Sequence, residues 1–240
     1  MAIENNKNCR FCYPEKYPSL YFQKYGLNLL DEYPIFESGK IIVIPDVLPG
    51  NPNFHGLIVP KVHKHAFAQI SDLQCEVGEI ANRFERLFNE PPAFFEHGGG
   101  DGQQESKVQS VYHQHMHVLD PEGLDVVPVM LDFLTKHGIR PRVFNYWDKS
   151  DPSSIFELKQ LYRGNPYLYV KHGRWGLWID DADDNLPSQL TQRFMHSVFS
   201  GTTELNWKEI PVNGGFEKLS VERIKKMIER LEKCQQEGKL

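Results

Sequence analysis

Residues 109–119 read QSVYHQHMHVL, and this stretch places His113, His115 and His117 at every second position. Alternate side chains of a β-strand point to the same face, so the pattern predicts three imidazoles on one face, about 7 Å apart at next-nearest positions. The apolar, aromatic and β-branched residues around them favour a strand. Because the pKa of imidazole lies near neutrality, such a row can supply a nucleophile, a proton carrier or metal ligands. We therefore expect the function to be centred here.

The same stretch resembles the signature of the histidine-triad superfamily of nucleotidyl hydrolases and transferases, in which His-x-His-x-His follows Gln-Ser-Val and an aromatic residue. The resemblance implies that the middle histidine is the nucleophile. It implies a catalytic set of five residues: His115, His113, His117, Gln109 and Ser110. One position departs from the family pattern, because Gln114 is polar where the family has an apolar residue. In a strand, Gln114 would point away from the histidine face.

Two apolar runs upstream, residues 41–44 and 56–59, each end at a proline and predict buried strands joined by a turn-rich loop. Histidine-triad proteins carry an aspartate after the first of these strands and Pro-Lys-x-His after the second. Asp46 and His63 hold those positions here. In the family the aspartate commonly accepts hydrogen bonds from the ribose hydroxyls, a role that suits a carboxylate. The alternative is an aspartate that only begins a turn.

The resemblance thus implies a nucleotide-binding set that combines the upstream aspartate with four residues of the motif. This set comprises Asp46, Gln109, Ser110, His115 and His117. The implied partner is a small nucleotide.

Cys9 and Cys12 form a Cys-x-x-Cys pair, whereas the other two cysteines stand alone. Two thiolates do not complete a tetrahedral zinc site. Resemblance to some bacterial histidine-triad proteins implies that His63 and His113 supply the remaining ligands of a structural zinc ion. The alternative is a reduced pair of thiols without metal.

Composition and charge narrow the class of protein. The chain has 240 residues, 40% of them hydrophobic, and a formal net charge of −5 without a basic cluster. Binding to large nucleic acids is therefore not expected, because it depends on concentrated positive charge. No apolar run approaches the roughly 18 residues of a membrane span, and the N-terminus MAIENNKNCR is polar. We expect a cytoplasmic protein that does not bind membranes.

Helical and strand periodicity add several elements. Residues 71–89 predict a helix that begins at a capping box of Ser71 and Gln74 and turns an apolar face to the sheet. Residues 93–96 predict a strand, and the glycine-rich residues 97–102 after it suit either a phosphate-binding loop or a flexible connector. Residues 167–170 and 175–179 predict a hairpin. Two helices follow in the prediction, one opened by Pro187 and closed by Gly201, the other capped by Ser220.

The fold class implied by the resemblance is α+β, with an antiparallel five-stranded sheet, a packed helix and a smaller α/β C-terminal extension like that of longer bacterial members. We predict a boundary near residue 140. Residues 1–140 would form the histidine-triad-like nucleotide-binding catalytic domain, and residues 141–240 an extension of a hairpin and helices. Many family members dimerise by pairing their sheets, so the resemblance also suggests a homodimer.

The implied reaction is attack on the α-phosphorus of a nucleotide ester, anhydride or phosphoramidate, through a nucleotidyl-histidine intermediate. Two other classes of protein remain open. One is a zinc-stabilised nucleotide-binding module without turnover. The other is a metal-dependent oxygenase or isomerase of cupin type, which would need a carboxylate or a further histidine beside the triad.

Overall fold

The computed structural model describes residues 9, 11–12, 35–46, 49–51, 53–70, 73–101, 113–145, 155–182, 186, 190–199 and 214–238. The strands are β1 (Phe36–Glu37), β2 (Ile41–Pro45), β3 (His55–Pro60), β4 (Ala93–Gly98), β5 (Met116–Leu119), β6 (Arg142–Asn145), β7 (Tyr167–His172) and β8 (Trp175–Asp180). The helices are α1 (Gln74–Phe88), α2 (Val126–Lys136), α3 (Ile155–Leu161), α4 (Leu190–Phe199) and α5 (Gly214–Gln236). None of these helices has the length and apolar composition needed to cross a bilayer.

The described strands form one antiparallel sheet in the order β1-β2-β3-β5-β4-β7-β8-β6. The predicted α+β class and antiparallel pairing are confirmed. The predicted count of five strands is wrong, because the sheet has eight. The three strands that follow residue 140 continue it, since β7 pairs with β4 over residues 93–98 and satisfies that strand's open edge. The domain boundary near residue 140 stays a prediction, with strands from both sides of it in one sheet.

Helices cover both faces of this sheet, because the strand side chains alternate between two apolar cores. Phe94 of β4 and Tyr167 of β7 face one core with α1 and α5, whereas their neighbours Phe95 and Leu168 face the other with α2 and α4. The central strand β5 follows the same rule, and its Met116 lies in the first core. His117 pairs in register with Leu57 and Phe95, so it lies on the second face.

The triad strand is shorter than predicted. Strand β5 begins at Met116, and residues 113–115 precede it in irregular structure. The reason is local bonding, because the Gln114 amide donates to the Lys64 carbonyl at 2.8 Å, in the loop after β3. The three histidines therefore do not form a uniform row along one strand.

The other predicted elements divide into confirmed and corrected ones. The hairpin is confirmed as β7 and β8, joined at Gly173 and Arg174. Helix α1 is confirmed with a fully apolar inner face. The predicted capping box is wrong, because the helix begins at Gln74 after an N-cap at Leu73, which makes no side-chain capping bond. Ser71, Pro187 and Gly201 lie outside the described residues. The cap at Ser220 is wrong, because α5 begins at Gly214 and runs through it. Serine is only mildly unfavourable inside a helix, so packing of the apolar face can carry the helix through it.

Candidate active site

The side chains of Cys9, Cys12, His63 and His113 meet at one end of the sheet, and their ligand-capable atoms all lie within 4.8 Å of one another. Cys9 and Cys12 belong to one tight turn, in which the Cys12 amide donates to the Cys9 carbonyl at 3.2 Å. His63 follows β3, and His113 precedes β5. The Nδ1 atoms of the two histidines are 3.2 Å apart, and each lies 3.3 Å from the Cys12 Sγ. The structure therefore brings together the four residues that the resemblance implied as metal ligands.

The tautomer of His113 suits metal binding. Its Nε2 lies 2.6 Å from the Pro60 carbonyl oxygen. Because a carbonyl only accepts, Nε2 carries the proton and the Nδ1 lone pair faces the cluster. Burial lowers the pKa of His113 to about 4 and also lowers the pKa of His63, so both rings are neutral near pH 7. Two cysteine sulfurs and two neutral imidazoles, with the Nδ1 lone pair of His113 directed at the cluster, match the donors of a tetrahedral zinc ion.

His115 is oriented by a different hydrogen bond. Its Nδ1 lies 3.0 Å from the His113 carbonyl oxygen, so Nδ1–H donates and Nε2 keeps its lone pair. The side chain is half-buried, whereas His113 is 1% and His117 is 8% exposed. The rings of Phe11 and His117 flank it, with centroids at 5.6 and 5.2 Å. An imidazole that donates from Nδ1 and carries no proton on Nε2 can act as a nucleophile or a base through Nε2.

A second polar cluster lies beside His117. Asp46, which follows β2, places its Oδ2 atom 3.1 Å from the His55 Nε2 and 3.3 Å from the His117 Nδ1. The His55 Nε2 and the His117 Nδ1 are 2.8 Å apart. Burial lowers the pKa of His55 to about 3, against the opposing effect of Asp46, so its ring is neutral.

The ligand-capable atoms of Asp46, His55 and His117 lie within 4.8 Å of one another, which is close enough for them to share a metal ion. Such a set, two histidines and a carboxylate, is the kind that the cupin-type alternative would need. The tautomer of His55 disfavours it. The Gly50 amide donates to the His55 Nδ1 at 2.9 Å, so the neutral ring carries its proton on Nε2, the nitrogen that would have to bind the ion. The cluster is better described as hydrogen-bonded.

Three residues of the site come from helices after residue 140 and were missed in the sequence. The Gln192 Nε2 donates to the Asp46 Oδ2 at 3.1 Å, and the Arg223 Nη1 donates to the Pro49 carbonyl at 2.7 Å. Burial, assisted by the charge of Arg223, lowers the pKa of His196 to about 4. No local signal marks these residues, because they lie on ordinary amphipathic helices far along the chain.

Behind the histidines, Gln114 is fully buried and its Nε2 donates to the Glu96 Oε1 at 2.5 Å. The Tyr167 hydroxyl and the Phe67 amide donate to the same oxygen at 2.5 and 2.9 Å. Burial raises the pKa of Glu96 to about 8. A polar network therefore stands where the histidine-triad pattern predicts an apolar contact.

The glycine-rich residues after β4 do not offer an open phosphate nest. The Gly99 amide donates to the His65 carbonyl at 2.6 Å, and the Asp101 amide donates to the Gly164 carbonyl at 2.8 Å. Two amides that a nest would direct at a phosphate are thus already bonded. Gln109 and Ser110, two members of the implied catalytic set, lie outside the described residues.

No protein-family model matches the sequence, and no curated protein matches it. Among solved structures, the chain is similar to a zinc-bound histidine triad family protein from Mycobacterium smegmatis, at 18% identity over 49% of this chain and 78% of that one, with a TM-score of 0.34. It is similar to a HIT family hydrolase from Clostridium thermocellum at 23% identity over 50% and 95% of the two chains, with a TM-score of 0.32. A Hit-like protein from Bartonella henselae shares 19% identity over 40% and 71%, with a TM-score of 0.29. These TM-scores lie below 0.5, so the function proposed next rests on the side chains described above.

Proposed function

We propose that the protein is a nucleotide hydrolase or nucleotidyltransferase that attacks the α-phosphorus of a nucleotide ester, anhydride or phosphoramidate. The attacking atom is the Nε2 of His115. One observation carries the proposal: the His115 Nδ1–H donates to the His113 carbonyl at 3.0 Å. This bond places the proton on Nδ1 and leaves Nε2 as the unprotonated nitrogen that a nucleophile requires. The histidine-triad resemblance of residues 109–119 supports the same choice of residue.

The reaction proceeds in two balanced steps. First, the Nε2 lone pair forms an N–P bond while the bond from phosphorus to the leaving group breaks, and the leaving group departs with the bonding electrons and takes a proton. Water or another acceptor then attacks phosphorus and releases a proton to solvent, which balances the proton that the leaving group took from solvent, and the N–P bond returns its electrons to Nε2. The transition state needs positioning and charge neutralisation above all. His117 donates a hydrogen bond to a non-bridging oxygen, and Gln109 and Ser110 address the leaving group.

We further propose that Cys9, Cys12, His63 and His113 hold one zinc ion. Support comes from the donor set and from the His113 tautomer that the Pro60 carbonyl fixes. An ion bound there supplies structure only, since four protein ligands leave no open position for substrate. It would join the N-terminal turn to the loop after β3 and to the chain just before β5, and so would hold Phe11 beside His115.

The test is direct capture of the intermediate. The full chain is incubated with radiolabelled adenosine and guanosine 5′-phosphoramidates, quenched, and digested for mass spectrometry. We expect an acid-labile nucleotidyl adduct on the peptide that contains His115. His115→Ala should lower kcat on the order of a thousandfold or more, because it removes the covalent step, whereas His117→Ala should be partial.

His137→Ala is the matched control, since His137 is an exposed histidine that directly follows α2 and lies outside the motif. It should keep both the adduct and the rate. An adduct on another residue, or full activity in His115→Ala, would contradict the mechanism. Tight nucleotide binding without any adduct or turnover would favour the binding module instead.

A further inference from the structure

Asp46 is enclosed by protein groups rather than open to a ligand. The residue is only 4% exposed. Its Oδ2 accepts a hydrogen bond from the Gln192 Nε2 at 3.1 Å and lies 3.1 and 3.3 Å from nitrogens of His55 and His117. A buried carboxylate is costly unless such partners compensate it, so a ribose could reach this oxygen only by displacing them.

We infer that Asp46 is a positioning residue for His117 instead of a ligand of the ribose, and that Gln192 of the C-terminal segment holds Asp46 in that role. The inference rests on the proposed function, because it assigns parts in that reaction. It departs from the ribose contact that the family resemblance implied.

The direction of the hydrogen bonds supports this role. The Gly50 amide donates to the His55 Nδ1 at 2.9 Å, so the neutral ring of His55 carries its proton on Nε2. That N–H faces the His117 Nδ1 at 2.8 Å and the Asp46 Oδ2 at 3.1 Å. His117 is therefore held through Nδ1, and its Nε2 is the nitrogen left for the phosphate. The Asp46 Oδ2 lies 3.3 Å from the same Nδ1, so the carboxylate is in contact with both rings.

The C-terminal helices hold the loop that supplies this network. Gly50 packs against α4 so closely that a Cβ atom there would lie 2.7 Å from the Met195 Cβ. The Arg223 Nη1 of α5 donates to the Pro49 carbonyl at 2.7 Å. These contacts fix the segment whose amide sets the tautomer of His55. The C-terminal segment therefore contributes to catalysis through Gln192, Met195 and Arg223, although none of the three is placed to touch the phosphate.

The first test separates positioning from ribose binding. Steady-state kinetics are measured for Asp46→Asn and Gln192→Leu with adenosine 5′-phosphoramidate and with its 2′,3′-dideoxy analogue. We expect Asp46→Asn to lower kcat about tenfold or more on both substrates with little change in KM, and Gln192→Leu to lower kcat by a smaller factor. A ribose ligand would instead raise KM on the ribonucleoside substrate and leave the dideoxy substrate unaffected. That result, or unchanged kinetics in both variants, would overturn the inference.

Asp120→Asn is the matched control, because Asp120 is also a buried aspartate that directly follows a strand, β5, and pairs with Arg230 at 2.6 Å. It should lower the thermal unfolding midpoint without changing kcat. Thermal unfolding of every variant is recorded, so that Gln192→Leu decides the matter if Asp46→Asn does not fold.

The second test does not depend on turnover. Ring ¹⁵N chemical shifts are measured in the full chain labelled at histidine, with signals assigned by single substitution. We expect His55 protonated on Nε2 alone, and we expect Asp46→Asn to move the His117 Nδ1 signal while Asp120→Asn leaves it in place. An unmoved His117 signal would refute the positioning role even in an active enzyme. A moved signal in a chain that turns over no nucleotide would support the arrangement and refute the proposed function instead.

Discussion

The three motif histidines differ in the ring nitrogen that the protein bonds or in the group that it bonds to. His113 donates from Nε2 to Pro60 and turns Nδ1 to the cysteines. His115 donates from Nδ1 to the His113 carbonyl, which puts its proton on that nitrogen. His117 faces His55 through Nδ1. Because a backbone carbonyl can only accept, two of these assignments follow from geometry alone. Identical side chains at a regular spacing are thus oriented differently by the hydrogen-bonding groups around them.

The buried carboxyl of Glu96 should make the stability of the protein depend on pH. Its pKa is raised by burial from 4.5 to about 8, so the native state holds its proton across this interval while the unfolded chain releases it. Stability should therefore fall as pH rises from about 4.5 to about 8, and the cost should persist above that. Each pH unit of such a shift corresponds to about 1.4 kcal/mol. Glu96→Gln removes the ionisation and should be more stable than the wild type by a few kcal/mol at pH 8, in the same estimate.

Urea unfolding at pH 5, 7 and 8.5 checks this prediction. Near pH 5 the native glutamate of the wild type is largely protonated, so it is neutral like the glutamine of the variant. Both side chains place a polar group at the position of the Glu96 Oε2, which has no partner among the described residues. The stability difference should therefore be smallest there. Glu79→Gln is the control, because Glu79 is an exposed glutamate on α1 paired with Arg83. A difference that does not grow with pH would show that Glu96 is ionised in the native state.

At the scale of elements, the turn of Cys9 and Cys12 is tied to the rest of the fold chiefly through the cluster. Phe11 lies between the two cysteines in sequence and packs beside the apolar group of Ile44, Leu57 and Val59. Cys12→Ser should therefore lose the zinc, lower the thermal unfolding midpoint, and reduce kcat partially because Phe11 no longer packs on His115. Zinc content by elemental analysis, calorimetry and kinetics on the same preparations measure the three effects.

Cys75→Ser is the control for this substitution, because Cys75 is an exposed thiol on α1. It should keep one zinc ion per chain and the wild-type midpoint. Wild-type protein that is purified without chelator and contains no zinc, or Cys12→Ser protein that retains it, would remove the zinc site from the proposal.

Secondary structure was predicted most accurately for elements whose own residues show a clear pattern. Helix α1, strands β2 and β3, and the hairpin of β7 and β8 follow from apolar periodicity and turn residues. The early end of β5 could not be predicted, because bonds from Gln114 and His113 to the loop after β3 replace strand pairing there. Five strands were expected instead of eight, because nothing local to the hairpin indicates that it pairs with β4.

Some residues of the site could be predicted from the sequence, and others could not. The motif brought together His113, His115 and His117, and the family resemblance added Cys9, Cys12, His63 and Asp46. The structure adds His55 and Gly50 to this set, and from the C-terminal helices Gln192 and Arg223. The helix residues that the structure adds are recognised only when distant segments pack together. The sequence of an amphipathic helix looks the same whether or not one of its polar side chains reaches a carboxylate.

At the scale of the whole molecule, the edges of the sheet limit how two copies could pair. Strand β4 is covered by β7, so the outer strands of the described sheet are β1 and β6. Strand β1 has two residues, and β6 carries Val143, which is 44% exposed. The homodimer stays a prediction, and a dimer made by sheet pairing would have to use one of these two short edges.

A continuous sheet also predicts how the molecule unfolds. All four tryptophans lie after residue 140, so tryptophan fluorescence reports on the C-terminal segment and on the core that buried Trp178 shares with α1. Amide exchange of β2 and β3 reports on the first half alone. Because β7 pairs with β4 along six residues and both share the core of Leu168, the two halves should unfold together in urea. The fluorescence midpoint and the loss of protection in β2 and β3 should therefore coincide.

Leu168→Ala should move both midpoints down together, by an amount that corresponds to about 2–5 kcal/mol for a buried leucine. Val143→Ala, at the exposed edge, should move neither by more than about 0.5 kcal/mol. Two separate midpoints in the wild type, with only the fluorescence midpoint lowered by Leu168→Ala, would mean that the halves are independent domains divided near residue 140. Coinciding midpoints would mean that the C-terminal strands belong to the same folding unit as the histidine site, which is the condition under which Gln192 and Arg223 can hold Asp46 and Pro49 at fixed distances.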